Sequence, residues 1–199
     1  GVEWRSVNSY VDSGNRGRSV MMGGADPSGD VSVIDYFSMS SQGNAVNFGD
    51  TLGAESRRSG CGSAIRGLSA GSDDSANHEV IEYITIASAG DSIDFGDMSN
   101  GRGTCASFSS STRGIWAGGR DPGTSQNTID YLEIGTLGNS LDFGDIRNAK
   151  QWLAGCSSPT RGIIAGGEGP AYSSPTRTSD IEYVTITSKG NSILFGQLT

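Results

Sequence analysis

Residues 80–97 read VIEYITIASAGDSIDFGD, two short apolar runs joined by a turn-forming segment. In the first run Ile81 and Tyr83 fall on one side of an extended chain and Ile84 and Ile86 on the other, because side chains alternate along a strand. Both sides are apolar, so the strand belongs to a sheet covered on both faces. A two-sheet sandwich would leave one face of most strands solvated. The phrase recurs as VIDYFSM with NAVNFGD, TIDYLEI with NSLDFGD, and DIEYVTI with NSILFGQ. Tyr36, Tyr83, Tyr131 and Tyr183 each precede Phe48, Phe95, Phe143 and Phe195 by 12 residues.

A third anchor lies upstream. SSTRGIWAGG (110–119) is repeated as SPTRGIIAGG (158–167), SAIRGLSAGS (63–72) and, more loosely, NRGRSVMMGG (15–24). The arginines are Arg18, Arg66, Arg113 and Arg161, spaced 48, 47 and 48 residues apart. From Arg to Tyr the distance is 18, 17, 18 and 22, so the fourth copy carries a loop insertion. The units are approximately 1–52, 53–99, 100–147 and 148–199, and together they form one domain spanning 1–199. Each unit reads as four strands separated by Gly, Asn, Asp, Ser and Pro. The first is a small-residue segment (GCGSA, TCASFS, LAGCSS), followed by the Arg-Gly run, the acid-Tyr run and the Phe-Gly run. A two-sided antiparallel sheet at this period predicts an all-β fold, a β-propeller of four four-stranded antiparallel blades. Two arrangements satisfy the pattern: four blades closing within one chain, or a partial array completed by a second subunit or a longer chain.

Composition agrees. Thirty-one glycines among 199 residues suit tight turns and discourage helices. A net charge of −8 argues against a nucleic-acid partner, which requires clustered Lys and Arg. No stretch of 18 apolar residues occurs, so no membrane insertion is expected. Cys61, Cys105 and Cys156, with His78 as the single histidine, make no convincing zinc or disulfide framework and are expected to be buried small apolar groups.

With these anchors the sequence resembles kelch repeats, in which an apolar strand ends in a glycine pair, a Tyr follows on the next strand and a large aromatic on the last. The matching pairs are Gly23-Gly24, Gly118-Gly119 and Gly166-Gly167, followed by the four tyrosines and phenylalanines. Copy two departs with Gly71-Ser72, and Phe stands where kelch repeats carry Trp. The wording is also similar to repeats in tail and structural proteins of bacteriophages, notably cyanophages. That resemblance implies a virion-surface, extracellular protein that meets a host glycan or protein, or other virion proteins.

The recurring Arg18, Arg66, Arg113 and Arg161 and the recurring acids Asp35, Glu82, Asp130 and Glu182 are expected to be structural, each arginine pairing with the acid of its own unit, as Arg113 with Asp130. Asp94, Asp97, Asp142 and Asp145 are expected to cap their own turns rather than bind calcium. Trp116 and Trp152 are read as packing between blades. No catalytic set, metal site or cofactor is expected, since one histidine removes most acid–base and metal schemes. Recognition is expected in the loops after the glycine pairs, which differ from copy to copy. The candidates are Asp73, Asp74, His78, Arg120, Asp121, Gln126, Asn127, Tyr172 and Arg177.

Overall fold

The computed structural model describes residues 17–72, 78–121, 123–169 and 176–199. They form strands and turns, with no helix. The first sheet contains β1 (Arg18–Asp26), β2 (Gly29–Ser38) and β3 (Val46–Asp50). The second contains β4 (Ser59–Gly62), β5 (Arg66–Ala70), β6 (Val80–Thr85) and β7 (Ile93–Asp97). The third contains β8 (Ala106–Ser109), β9 (Arg113–Ala117), β12 (Thr128–Glu133) and β13 (Leu141–Asp145), with a short hairpin, β10 (Arg120–Asp121) and β11 (Thr124–Ser125), inserted after β9. The fourth contains β14 (Ala154–Ser157), β15 (Arg161–Ala165), β16 (Asp180–Thr185) and β17 (Ile193–Gln197). All pairings are antiparallel between sequence neighbours, as the four-run reading requires. The first-strand segment of the first unit lies outside the described residues.

The two-sided pattern of β6 is realised. Ile81 and Tyr83 pack with Trp116, Leu132 and Ile134 of the third sheet, while Ile84 packs with Ile34 and Phe48 of the first. A third cluster joins Ile115, Tyr131 and Phe143 to Ile164, Val184 and Ile186 of the fourth sheet. Each sheet therefore presents its Tyr-Phe face to the opposite face of the next sheet in sequence. Within every unit the fixed 12-residue spacing brings Tyr and Phe together edge-on, with ring centroids 5.8–6.1 Å apart.

Two kinds of joint lock successive sheets. On the last strands a bulge places a glycine where the next unit's turn must pass: a Cβ on Gly96 would lie 2.5 Å from the Gly138 backbone. The Gly90, Gly138 and Gly190 amides donate to the Phe48, Phe95 and Phe143 carbonyls of the preceding unit at 2.8, 2.9 and 2.8 Å. The first strands carry the second joint: Ser109 Oγ donates to Gly62 O and Ser157 Oγ to Ser109 O, both at 2.7 Å. Among the described residues no core cluster, hydrogen bond or ion pair joins the fourth sheet to the first.

Candidate functional site

The repeated polar residues are frame, but not through the pairing expected from sequence. Arg113 does not meet Asp130. In the β9–β12 register Arg113 lies opposite Glu133 and Asp130 opposite Trp116, an offset of three positions, or about 10 Å at the rise of a strand. Instead Arg18, Arg66, Arg113 and Arg161 lie over the rings of Tyr36, Tyr83, Tyr131 and Tyr183, 4.5–5.0 Å from the centroids. The first three also reach forward one unit, donating to the carbonyls of Ile86, Ile134 and Ile186 at 2.8, 2.8 and 3.0 Å. Arg113 additionally pairs with Glu133 at 2.6 Å.

The repeated acids take other cations. Glu82 pairs with Arg58 at 2.7 Å, Asp130 with Arg102 at 2.8 Å and Glu182 with Lys150 at 2.5 Å, all buried. Each acid also binds the segment leaving the preceding unit, accepting from Leu52 N, Ser99 Oγ and Arg147 N respectively. Burial works against ionisation of Glu182, but hydrogen bonds from Lys150, Ser192 and the Arg147 amide outweigh it and hold the carboxyl below its ordinary range. The cations were missed because they precede their acids by 24, 28 and 32 residues, with no fixed spacing to detect.

The glycine pairs belong to the same frame. Gly118 has φ +61°, and a Cβ there would meet Leu153 Cδ1 at 2.5 Å and Lys150 O at 3.0 Å. The Gly119 amide donates to Lys150 O at 2.8 Å. The pair thus lets the lead-in of the following unit approach the backbone. Asp94 and Asp142 accept from the Gly96 and Gly144 amides at 2.9 and 3.2 Å and so cap their own bulges. Asp97 and Asp145 instead use their backbone amides, which donate to Asn139 and Asn191 Oδ1. Among the described residues no cluster of three or more metal-ligating side chains occurs. Burial pushes the Cys61 and Cys105 thiols up to about 12 and about 11. Cys156 is exposed, against expectation: among the described residues no first strand packs on the outer side of β14.

Among the loop candidates, Asp73, Asp74 and Tyr172 lie outside the described residues. His78 is half-buried against the next unit, its ring standing where a Cβ on Gly101 would fall. Arg120 and Asp121 share the β10–β11 hairpin, and Gln126 Nε2 donates to Asp121 Oδ2 at 3.0 Å. Asn127 contributes its carbonyl, which accepts from the Ile146 amide at 2.8 Å. Arg177 is placed elsewhere: its backbone pairs with that of Glu168 in an isolated antiparallel β-bridge, and the Glu168 backbone pairs likewise with that of Gln151.

That chain of bridges leads to Trp152, and here the sequence reading is corrected. Trp116 is fully buried, but Trp152 is 50 % exposed and does not pack between sheets. Trp152 occupies the same place in its unit as Arg57 and Thr104, and all three have left-handed backbones, φ 57–58°. Such conformations are costly for residues other than glycine, but this one recurs ahead of the first strand in three units and so belongs to the frame; what is peculiar to Trp152 is its exposed ring. The Arg57 guanidinium reaches across two units to stand 5.8 Å from the Trp152 ring. Trp152, Gly167, Glu168, Arg177 and Thr178 line an open cleft of about 380 Å³. The side-chain oxygens of Gln151, beside Trp152, and of Thr104 are buried without a hydrogen-bond partner in the protein. An exposed indole face with a guanidinium and a carboxylate beside it can stack on an apolar ring face and hydrogen-bond its hydroxyls.

These features define an all-β protein of tandem antiparallel sheets, with an open cleft beside Trp152 in its last unit. No family model matches the chain, and no curated protein matches its sequence.

Proposed function

We propose that the chain is a non-enzymatic binding module with the architecture of a kelch-like β-propeller, one blade per repeat, carried on the surface or fibre tip of a phage virion. Its role is to recognise a host-surface component, a neutral glycan, through the loops that follow the glycine pairs. The observation that supports this reading is the cleft in which Glu168 and Arg177, from the loop after Gly166-Gly167, stand with the half-exposed indole of Trp152, which Arg57 also approaches. The repeated polar residues are occupied in holding sheets together, so recognition falls to the residues that do not repeat. A net charge of −8 suits a neutral polyol better than an anionic polymer.

The test is calorimetric titration with neutral oligosaccharides selected on a glycan array. The wild-type protein binds, and Trp152→Ala weakens binding at least about tenfold, or about 1.4 kcal/mol. A blank array for the wild type, or unchanged affinity after Trp152→Ala and Arg177→Ala together, overturns the reading. A second reading, an architectural virion protein, is favoured by one observation: the exposed Tyr-Phe face of the last sheet, where Phe195 is 58 % exposed.

A further inference from the structure

The joint between successive units is made three times with the same chemistry, and each end of the array carries one unmatched half of it. On the outgoing side of the fourth sheet, Phe195 is 58 % exposed, whereas Phe48, Phe95 and Phe143 are buried. Leu198 is 51 % exposed, although Thr51, Met98 and Ile146, at the same place in their units, are buried. Arg161 lies over Tyr183 like its counterparts but, among the described residues, has no carbonyl to donate to. A Cβ on Gly196 would meet nothing within 4 Å, whereas on Gly49, Gly96 and Gly144 it would strike the next unit's turn.

The incoming side of the first sheet carries the other half. Met39 is 64 % exposed, while Ile134 and Ile186, its counterparts, are buried. Met21 is exposed where Trp116 and Ile164 are buried. The Asp35 carboxylate accepts no hydrogen bond from another described residue, although those of Glu82, Asp130 and Glu182 each bind the segment leaving the preceding unit. Among the described residues the Gly43 amide likewise lacks the carbonyl that Gly90, Gly138 and Gly190 find.

We propose that these two faces bind each other between molecules: the fourth sheet of one copy docks on the first sheet of a second copy, head to tail. Phe195 and Leu198 then cover Met21 and Met39, the Arg161 guanidinium reaches the Met39 carbonyl of the second copy, and Gly43 N–H donates to the Phe195 carbonyl. A second copy is the occupant because it presents every missing partner at the spacing that the three internal joints already use. The contact is heterologous, so it propagates into a ring or a linear assembly according to the rotation per copy. The inference stands apart from the glycan reading, because Trp152 and Arg177 belong to neither face.

The test uses two charge variants at exposed positions, Phe195→Asp, which blocks the outgoing face, and Met39→Asp, which blocks the incoming one. Sedimentation of the wild type gives a mass that rises with concentration above the 20.6 kDa of one chain. Each variant alone stays at one chain mass, with an unchanged far-UV spectrum. Mixed, the two variants form a one-to-one dimer and nothing larger, since each retains one working face. A wild type that remains one chain mass at all concentrations overturns the proposal, and this includes ring closure within a single chain. Variants that associate on their own, or that fail to combine when mixed, overturn it equally, since the contact then lies elsewhere.

Discussion

Replacing Asp130 by alanine costs about 3–5 kcal/mol of unfolding free energy, because it leaves the Arg102 charge buried without its partner. Both side chains are fully enclosed, with Nη1 and Oδ2 2.8 Å apart. Arg102 also donates to the carbonyls of Gly118 and Asn100 at 2.8 and 2.9 Å, so the guanidinium is held in place and cannot swing out to water. Urea unfolding followed by circular dichroism measures the loss. Replacing the pair together, Arg102→Met with Asp130→Leu, removes both charges and recovers part of it, since the carbonyls that Arg102 serves are then left without their donor. A loss below about 1 kcal/mol in the single variant would place the pair in the range of an exposed ion pair and contradict the enclosed geometry.

Trp116→Ala has an effect of similar size for a different reason. The indole is fully buried between the second and third sheets, and its Nε1 donates to Ser59 O at 3.0 Å. Truncating a buried aromatic costs about 3–5 kcal/mol in lost transfer energy and residual cavity. For a domain of this size that is a fall in Tm on the order of 10 °C by scanning calorimetry. Trp152→Ala provides the internal contrast. Its side chain is half in solvent, so the change stays within about 0.5 kcal/mol. One tryptophan supports the fold and the other is available to a ligand, although both occur in a single copy of the repeat.

Much of the architecture is legible in the sequence because the period is strict. A 12-residue Tyr-to-Phe interval fixes the register of two neighbouring strands, and all four edge-on ring pairs follow from it. The apolar residues on both sides of β6 announce a sheet between two others, and Ile81 and Ile84 lie in different core clusters accordingly. Polar partners are harder to read. Arg113 and Asp130 recur in step, yet recurrence cannot reveal that three register positions separate them. Arg102 is invisible for the opposite reason, since the loop lengths between the cations and their acids vary from unit to unit. In the candidate site, Arg177 was suggested by its place in the insertion. Trp152 looked like core because a large aromatic usually is, and only the exposure of its ring sets it apart, since its left-handed backbone is shared with Arg57 and Thr104.

The central claim is that the repeated words are joints between successive sheets and that, among the described residues, the joint is unmade on the outer faces of the first and fourth sheets. Hydrogen exchange at four equivalent glycine amides tests it most directly, at a dilution where sedimentation gives one chain mass. Gly90, Gly138 and Gly190 donate to the Phe carbonyl of the preceding unit, so their amides are protected and open only with the sheets around them. Gly43 has a similar sequence context and, among the described residues, no such acceptor, so its amide exchanges at close to the rate of an unstructured chain. Equal protection of all four in the single chain would mean that the last sheet meets the first, and would contradict the account.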